Sequence, residues 1–337
     1  MIEIDGAFGE GGGQIIRTSL SLSAITGEPV RIRNVRANRS KPGLLRQHLT
    51  ALNAVAEICG GKTTGAELGS REITLTPGSI RAGKYEFSVG SAGSANLVLQ
   101  TALPVLLSVH GVSELRVHGG THNSSSPPYP FLEECFFPAL REIGHGVTGE
   151  LVRYGFYPAG GGEIAIRVEG GSAPKSINWL NREAEISLSA EAIVSNIGND
   201  VAKRELNTIA SELNLNFDEA CRFNYPEAQG PGNALLGRLA FGERIVMFAE
   251  FGERGVSAEQ VAKRVVKQMK AFLASGAVVD HHLADQLLLP LALGRGGVFS
   301  TTRPSLHTTT NAEVISKFTG KTINLVPDDT RTVCEVS

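Results

Sequence analysis

The chain has 337 residues, 42% of them apolar, with 32 Lys and Arg against 34 Asp and Glu and a formal net charge of −2. That length allows two domains with buried cores, and the near balance of charge excludes a protein that coats a long nucleic acid through electrostatics alone. The longest apolar run, Leu287 to Leu293, is interrupted by Pro290 and is too short to span a bilayer.

No charged segment followed by an apolar one opens the chain, and Cys59, Cys135, Cys221 and Cys334 are scattered without CxxC spacing. The expectation is a cytoplasmic protein with reduced thiols and no membrane partner.

In chain order, Gly9-Glu10-Gly11-Gly12-Gly13 leads into an apolar, helical run that carries Gln14 and Arg17. Such glycines let the N–H groups of a turn and a helix start face an anion, although a triple glycine also marks an ordinary tight turn. No Lys-Ser/Thr follows, so this is not a Walker loop. Glu10 would repel a phosphate unless a divalent cation, Mg2+ or Mn2+, bridges the two.

A strand follows over Val30–Val35, then a turn at Lys41-Pro42-Gly43 and a helix over Pro42–Ile58. No acid stands between Pro29 and Glu57, while Arg31, Arg33, Arg36, Arg39, Lys41 and Arg46 do, with His48 just beyond. A charge run is ordinarily a solvated face. This one straddles a loop between two elements, where charges converge on one edge and suit an anionic substrate.

Ile73–Thr76 and Tyr85–Val89 read as a strand pair, as do Leu151–Tyr154 and Glu163–Val168, with a helix over Phe131–Ile143 between them. Gln14, Gln100 and Gln286 each follow a turn and begin an apolar helix, and Pro104 and Pro290 stand four residues after the last two. With a further helix over Asn311–Phe318, the pattern is a β-α-β-α-β-β unit repeated three times, an α/β (α+β) fold with helices against sheets.

The third unit is interrupted by roughly ninety residues, enough for a small domain. They hold a strand over Ile186–Ile193, a helix over Ala202–Leu213, a strand over Ile245–Glu250 and a helix from Ser257 to Ala274. The expected division is a large domain of residues 1–182 plus 276–337 and an inserted α/β domain of residues 183–275. On the long helix Val261, Val265, Met269 and Phe272 form a packing stripe and the lysines a solvated face.

His307, in Arg303-Pro304-Ser305-Leu306-His307-Thr308-Thr309-Thr310-Asn311, is a lone imidazole among hydroxyl and amide groups. Its neighbours are poor zinc ligands. They suit a neutral ring that attacks phosphorus, or else a buried histidine bonded to a backbone carbonyl. Asp285, read at the start of a helix over Leu283–Leu293, is most simply a charge favouring the helix dipole.

GEGGGQIIRTSLSLSAITG, RSKPGLLRQHLTA, GSAGSANLVLQT, GGTHNSSSPPYPF, YGFYPAGGGE, QGPGNALL, LADQLLLPLAL and RPSLHTTTN together resemble the RNA 3′-terminal phosphate cyclases, in order from Ile4 to near the C-terminus. The resemblance implies ATP-dependent conversion of an RNA 3′-phosphate into a 2′,3′-cyclic phosphodiester through a covalent adenylate on His307. It implies Arg17, Arg36 and Arg39 as clamps on the transferred phosphoryl groups, with Glu10 as the metal ligand. Arg36, Arg39, Arg46 and Gln47 would meet the RNA phosphate. Gln100, His282, Leu283, Ala284, Asp285, Gln286, Pro127 and Pro128 would meet the nucleotide. Where this chain has His282, the family often carries a tyrosine that packs on adenine; histidine offers less apolar area.

Three other readings stay open. They are a non-catalytic relative that binds RNA in ribosome assembly, an enzyme that adenylates 5′-phosphorylated ends, and an enolpyruvyl transferase of similar repeated architecture. A homodimer is likewise left open.

Overall fold

A computed structural model describes residues 1–182 and 185–337. The first unit runs β1 (Ile2–Asp5), α1 (Gly13–Thr26), β2 (Val30–Arg33), α2 (Arg46–Ile58), β3 (Lys62–Thr64) and β4 (Ile73–Thr76). The second runs β5 (Lys84–Ser88), α3 (Ala95–Leu107), β6 (Gly111–Gly119), α4 (Tyr129–Phe131), a π-helical turn (Leu132–Phe136), α5 (Phe137–Ile143), β7 (Gly146–Arg153) and β8 (Gly162–Gly170). The third opens with β9 (Ile177–Trp179) and is then interrupted.

The interruption holds β10 (Ser187–Ser195), α6 (Asp200–Leu213), α7 (Phe217–Ala220), β11 (Cys221–Asn224), β12 (Gly232–Phe241), β13 (Arg244–Phe251) and α8 (Ala258–Ser275). The third unit resumes with α9 (His281–Leu293), β14 (Gly297–Thr301), α10 (Leu306–Thr319), β15 (Ile323–Asp328) and β16 (Arg331–Val336).

Sheet topology makes the repeat explicit. The strand orders are β1-β2-β4-β3, β5-β6-β8-β7 and β9-β14-β16-β15, while the inserted sheet runs β11-β10-β12-β13. In each repeat the first two strands are parallel, joined across a helix, and the last two pair antiparallel. The insertion falls between the first strand and first helix of the third unit, and its residue-level start at 183 lies outside the described residues.

Ile73–Thr76 does not pair with Tyr85–Val89: β4 lies between β2 and β3, and β5 opens the next sheet against β6. Alternation of apolar and polar residues marks a strand without naming its partner. Gln100 and Gln286 also do not begin their helices. Each is the sixth residue of a 13-residue helix with proline tenth, whereas Gln14 is the second residue of α1.

The first helices of the first two units, α1 and α3, pack against each other. Ser19, Ser21 and Ser23 of α1 are buried, and Ser21 Oγ donates to the Thr101 carbonyl of α3 at 2.7 Å. Small side chains let the two backbones approach, and the Ser21 and Ser23 hydroxyls are satisfied by carbonyls, Ser23 Oγ donating to that of Glu28 at 2.6 Å. Helix α1 stops at Gly27, whose φ of +75° closes the turn with an N–H bond to the Ser23 carbonyl.

Inserted helix α8 starts at a capping box of Ser257 and Gln260, and its Val261, Val265, Met269 and Phe272 are buried as the stripe requires. Two arginines anchor the insertion to the second unit. Arg238 forks onto Glu134 at 2.6 and 2.7 Å and reaches Glu191 at 2.7 Å; Arg244 meets Glu142 at 2.6 Å and lies 3.9 Å over the Trp179 ring.

Candidate active site

The site forms where the N-terminal ends of α1, α2 and α10 meet. Helix α10 starts at Leu306, well before the Asn311 expected from sequence, because the Ser305 hydroxyl caps it by accepting the Thr308 N–H at 3.3 Å. His307 therefore sits in a helical first turn, half exposed, rather than in a loop. The glycine loop packs on the same turn. Gly9, at φ +56°, lies so close that a Cβ would come within 2.1 Å of Thr310 Oγ1, and Thr310 Oγ1 accepts the Glu10 N–H at 3.0 Å. Gly13 meets His48 of α2, whose Nε2 would lie 2.4 Å from an added Cβ. Three helix N-termini on one spot create a positive potential suited to phosphate.

A hydrogen-bonded relay orients the histidine. The Gln14 amide donates from Nε2 to Asp285 Oδ1 at 2.5 Å, and its Oε1 stands 2.6 Å from His307 Nδ1. With the amide nitrogen committed to a carboxylate, Oε1 is the acceptor, so His307 Nδ1–H donates and Nε2 keeps its lone pair. The Asp285 carbonyl in turn accepts from Asn311 Nδ2 at 3.0 Å, and Thr18 Oγ1 donates to Asn311 Oδ1 at 2.7 Å. Asp285 is thus a second-turn residue aimed at Gln14. The helix cap of α9 is Asp280, which replaces the dipole role read for Asp285.

Electrostatics keep the ring neutral. Burial lowers the His307 pKa; Asp285 opposes this, while Arg17, Arg39 and His282 add to it. Burial raises that of Asp285, against Gln14, His307, Arg17 and Asn311. Burial brings Arg17 down to about 10, partly offset by Asp285, so it remains cationic at neutral pH. His48, buried and flanked by Arg17 and Arg36, is pushed down to about 3.

Glu10 is almost fully buried and forms an ion pair with Arg39, and its Oε1 lies 3.8 Å from His307 Nε2. Its Oε2 is buried with no hydrogen-bond partner among the described residues. A Cβ on Gly12 would lie 2.2 Å from Oε1, so glycine there is what admits the carboxylate. One orphaned carboxylate oxygen beside a glycine-rich turn has the donor chemistry of a hard divalent cation's ligand.

The other expected residues are placed less uniformly. Arg36 is buried, with φ +53°, and spends Nη1 on the carbonyls of Lys41 and Gly43 at 2.6 and 2.9 Å, bracing the basic loop. Arg46 is exposed in the first turn of α2, and Gln47 Oε1 accepts the Ser94 N–H at 2.9 Å, joining α2 to the start of α3. Gln100 Nε2 donates to Gln286 Oε1 at 2.5 Å, beside the relay. His282 is exposed, whereas the Leu283 and Ala284 side chains belong to the core. Pro128 is buried and the Pro127 carbonyl accepts from Asn96 Nδ2 at 2.8 Å; no hydrogen bond among the described residues ties either to His307.

Gln14, Thr18, Thr310 and Asn311 were not read from sequence as site residues. Their positions inside the glycine-rich and histidine-bearing motifs were the available signal.

A family model described as RNA 3′-terminal phosphate cyclase matches residues 8–325. An RNA 3′-terminal phosphate cyclase of Ectopseudomonas mendocina (strain ymp) is 47% identical over 321 residues, covering 94% of this chain and 92% of its own. Its namesakes in Koribacter versatilis and Salmonella agona are 46% and 45% identical, over 94% and 96% of this chain and 90% and 94% of theirs. Among solved structures, the enolpyruvyl transferase NikO from Streptomyces tendae aligns at 12% identity with a TM-score of 0.40, over 99% of this chain and 48% of that one. By the extent of the family match and the identity of these cyclase relatives, the chain belongs to the RNA 3′-terminal phosphate cyclase family.

Proposed function

We propose that this chain is an ATP-dependent RNA 3′-terminal phosphate cyclase that works through an adenylate on His307 Nε2. The observation that carries the mechanism is the Asp285–Gln14–His307 relay, which leaves Nε2 as the free lone pair beside Glu10 and Arg39. Nε2 attacks the α-phosphorus of ATP; a P–N bond forms, the α-phosphorus–oxygen bond breaks and pyrophosphate leaves. An oxygen of the RNA 3′-phosphate then displaces the imidazole from phosphorus, giving a mixed anhydride. The neighbouring 2′-hydroxyl closes on the 3′-phosphorus and AMP departs.

Each transition state spreads negative charge over phosphoryl oxygens, so the protein's contribution is positioning and cationic clamping. Arg17 and Arg39 border the histidine and are the clamps. Arg36 shapes the loop that presents Arg39, and Arg46 with Gln47 offers a neighbouring surface for the RNA 3′-phosphate. Glu10 would hold Mg2+ or Mn2+, which neutralises charge on the nucleotide's phosphates when bound. His282, Gln100, Gln286, Pro127 and Pro128 complete the proposed nucleotide pocket, and Leu283 and Ala284 support it from the core.

The domain division of 1–182 plus 276–337 against 183–275, a cytoplasmic location and a homodimer belong to the same reading. No helix among the described residues is long and apolar enough to cross a membrane.

The test is incubation of an RNA bearing a 3′-phosphate with ATP and Mg2+. We expect a product resistant to phosphatase and reopened by acid, absent with His307→Asn. Transfer of AMP to a 5′-phosphorylated end with no cyclic product would overturn the substrate assignment.

A further inference from the structure

We propose that Asp280, His281 and His282, at the start of α9, form a transition-metal site separate from the Glu10 carboxylate. One donor atom from each residue lies within 4.8 Å of the other two. Asp280 is fully buried as the cap of α9. Its Oδ2 accepts the His282 N–H at 2.9 Å and its Oδ1 the Leu283 N–H at 3.1 Å. Those bonds fix the carboxylate, and each oxygen retains a lone pair.

The two imidazoles occupy the first two helical positions. Consecutive helical side chains ordinarily diverge; here the ring centroids are 4.0 Å apart with 39° between planes. The cap and the two rings thus lie close together, Asp280 buried, His281 half-buried and His282 exposed.

Donor chemistry selects the ion. Two imidazole nitrogens and one carboxylate oxygen suit Zn2+, Ni2+ or Co2+ rather than Mg2+, which prefers oxygen ligands and water. Zinc–nitrogen bonds of about 2.0–2.1 Å in a tetrahedron place donors about 3.3 Å apart, so closure requires movements of at most about 1.5 Å, within the reach of imidazole rotation. Three protein ligands leave a fourth position for water or a phosphate oxygen. His282 is also the residue assigned to the base in the proposed nucleotide pocket. If that assignment holds, zinc and nucleotide compete for one ring and excess zinc slows adenylation; metal binding itself does not depend on it.

The experiment is titration of the chelator-stripped full chain with Co2+, read by its visible absorption, and equilibrium dialysis with Zn2+ for stoichiometry. One equivalent is expected in wild type, undisplaced by excess Mg2+. His281→Ala and His282→Ala are each expected to weaken it by at least ~10-fold. Both leave the Asp280 cap in place, and a cooperative thermal melt checks the fold, with His281→Gln and His282→Gln as replacements for a variant that fails it. Glu10→Gln and His307→Asn should bind as wild type. Unchanged binding in the His281 and His282 variants, or its loss in His307→Asn, overturns the proposal, and neither result bears on the cyclase chemistry.

Discussion

Gln14 determines which nitrogen of His307 is free, and it does so only because its own amide is held by Asp285. Gln14→Ala should therefore slow self-adenylation by about 10²-fold while leaving ATP affinity within a few-fold, since a misdirected nucleophile costs rate rather than binding. Single-turnover label transfer alongside an ATP binding isotherm separates the two; equal losses would make Gln14 a nucleotide contact.

The pH profile carries a second residue-scale prediction. The His307 pKa is lowered by burial and by Arg17, Arg39 and His282, against Asp285. Neutral imidazole thus persists below the ordinary value near 6.5, and the acid limb of adenylation should fall below pH 6.5. Arg39→Ala removes one lowering charge and frees Glu10, so that limb should move up. A limb that stays or moves down contradicts the electrostatic account. Sequence made His307, Glu10, Arg17 and Arg39 legible as residue types suited to phosphoryl chemistry. It could not reveal the relay, because Gln14 and His307 are 293 positions apart and meet only when α1 packs on α10.

At the scale of elements, the placement of α10 against the glycine loop decides whether the site exists. Gly9 combines φ +56° with a Cβ position 2.1 Å from Thr310 Oγ1. Gly9→Ala should cost about 1–3 kcal/mol from strain and overlap and should separate Glu10 from His307. A denaturant melt and adenylation rate measured on the same preparation test this; wild-type values in both would show that the loop adapts freely. Helix existence was readable from apolar periodicity, including the α8 stripe. Helix starts were readable only in part: α8 begins at the Ser257 cap as read, whereas α10 begins at a serine cap outside the apolar pattern. Strand partners were the least readable: β4 and β5 alternate alike, yet one closes the first sheet and the other opens the second.

For the whole molecule, buried ionisable groups set the pH range of stability. Burial brings His48 and His122 down to about 3, His48 with help from Arg17 and Arg36, and raises Glu205 to about 7 against its bond from Asn233. The unfolded chain binds protons to both histidines below about pH 6.5 while the fold resists them, so stability is lost as pH falls from about 6.5 toward 3. Glu205 acts with the opposite sign, its contribution being complete below about pH 4.5 and lost as pH rises through about 7. Glu205→Gln should therefore be more stable than wild type at pH 8, by roughly 2–4 kcal/mol, since each tenfold change in proton affinity is worth about 1.4 kcal/mol. At pH 4 the two should melt alike. A variant less stable at both pH values would show that the buried carboxyl is not the source of the alkaline loss. The threefold unit was visible in the sequence through recurring helix and strand patterns. How the inserted sheet is fixed to the second unit was not, because Arg238–Glu134 and Arg244–Glu142 join residues 104 and 102 positions apart.

The most direct test of the central claim is incubation of the protein with α-labelled ATP and magnesium, without RNA, followed by denaturing separation of protein from nucleotide. Acid-labile label on the wild type and none on His307→Asn is the predicted result. Label retained on His307→Asn, or absent from both proteins, would contradict a histidyl adenylate and return His307 to a structural role.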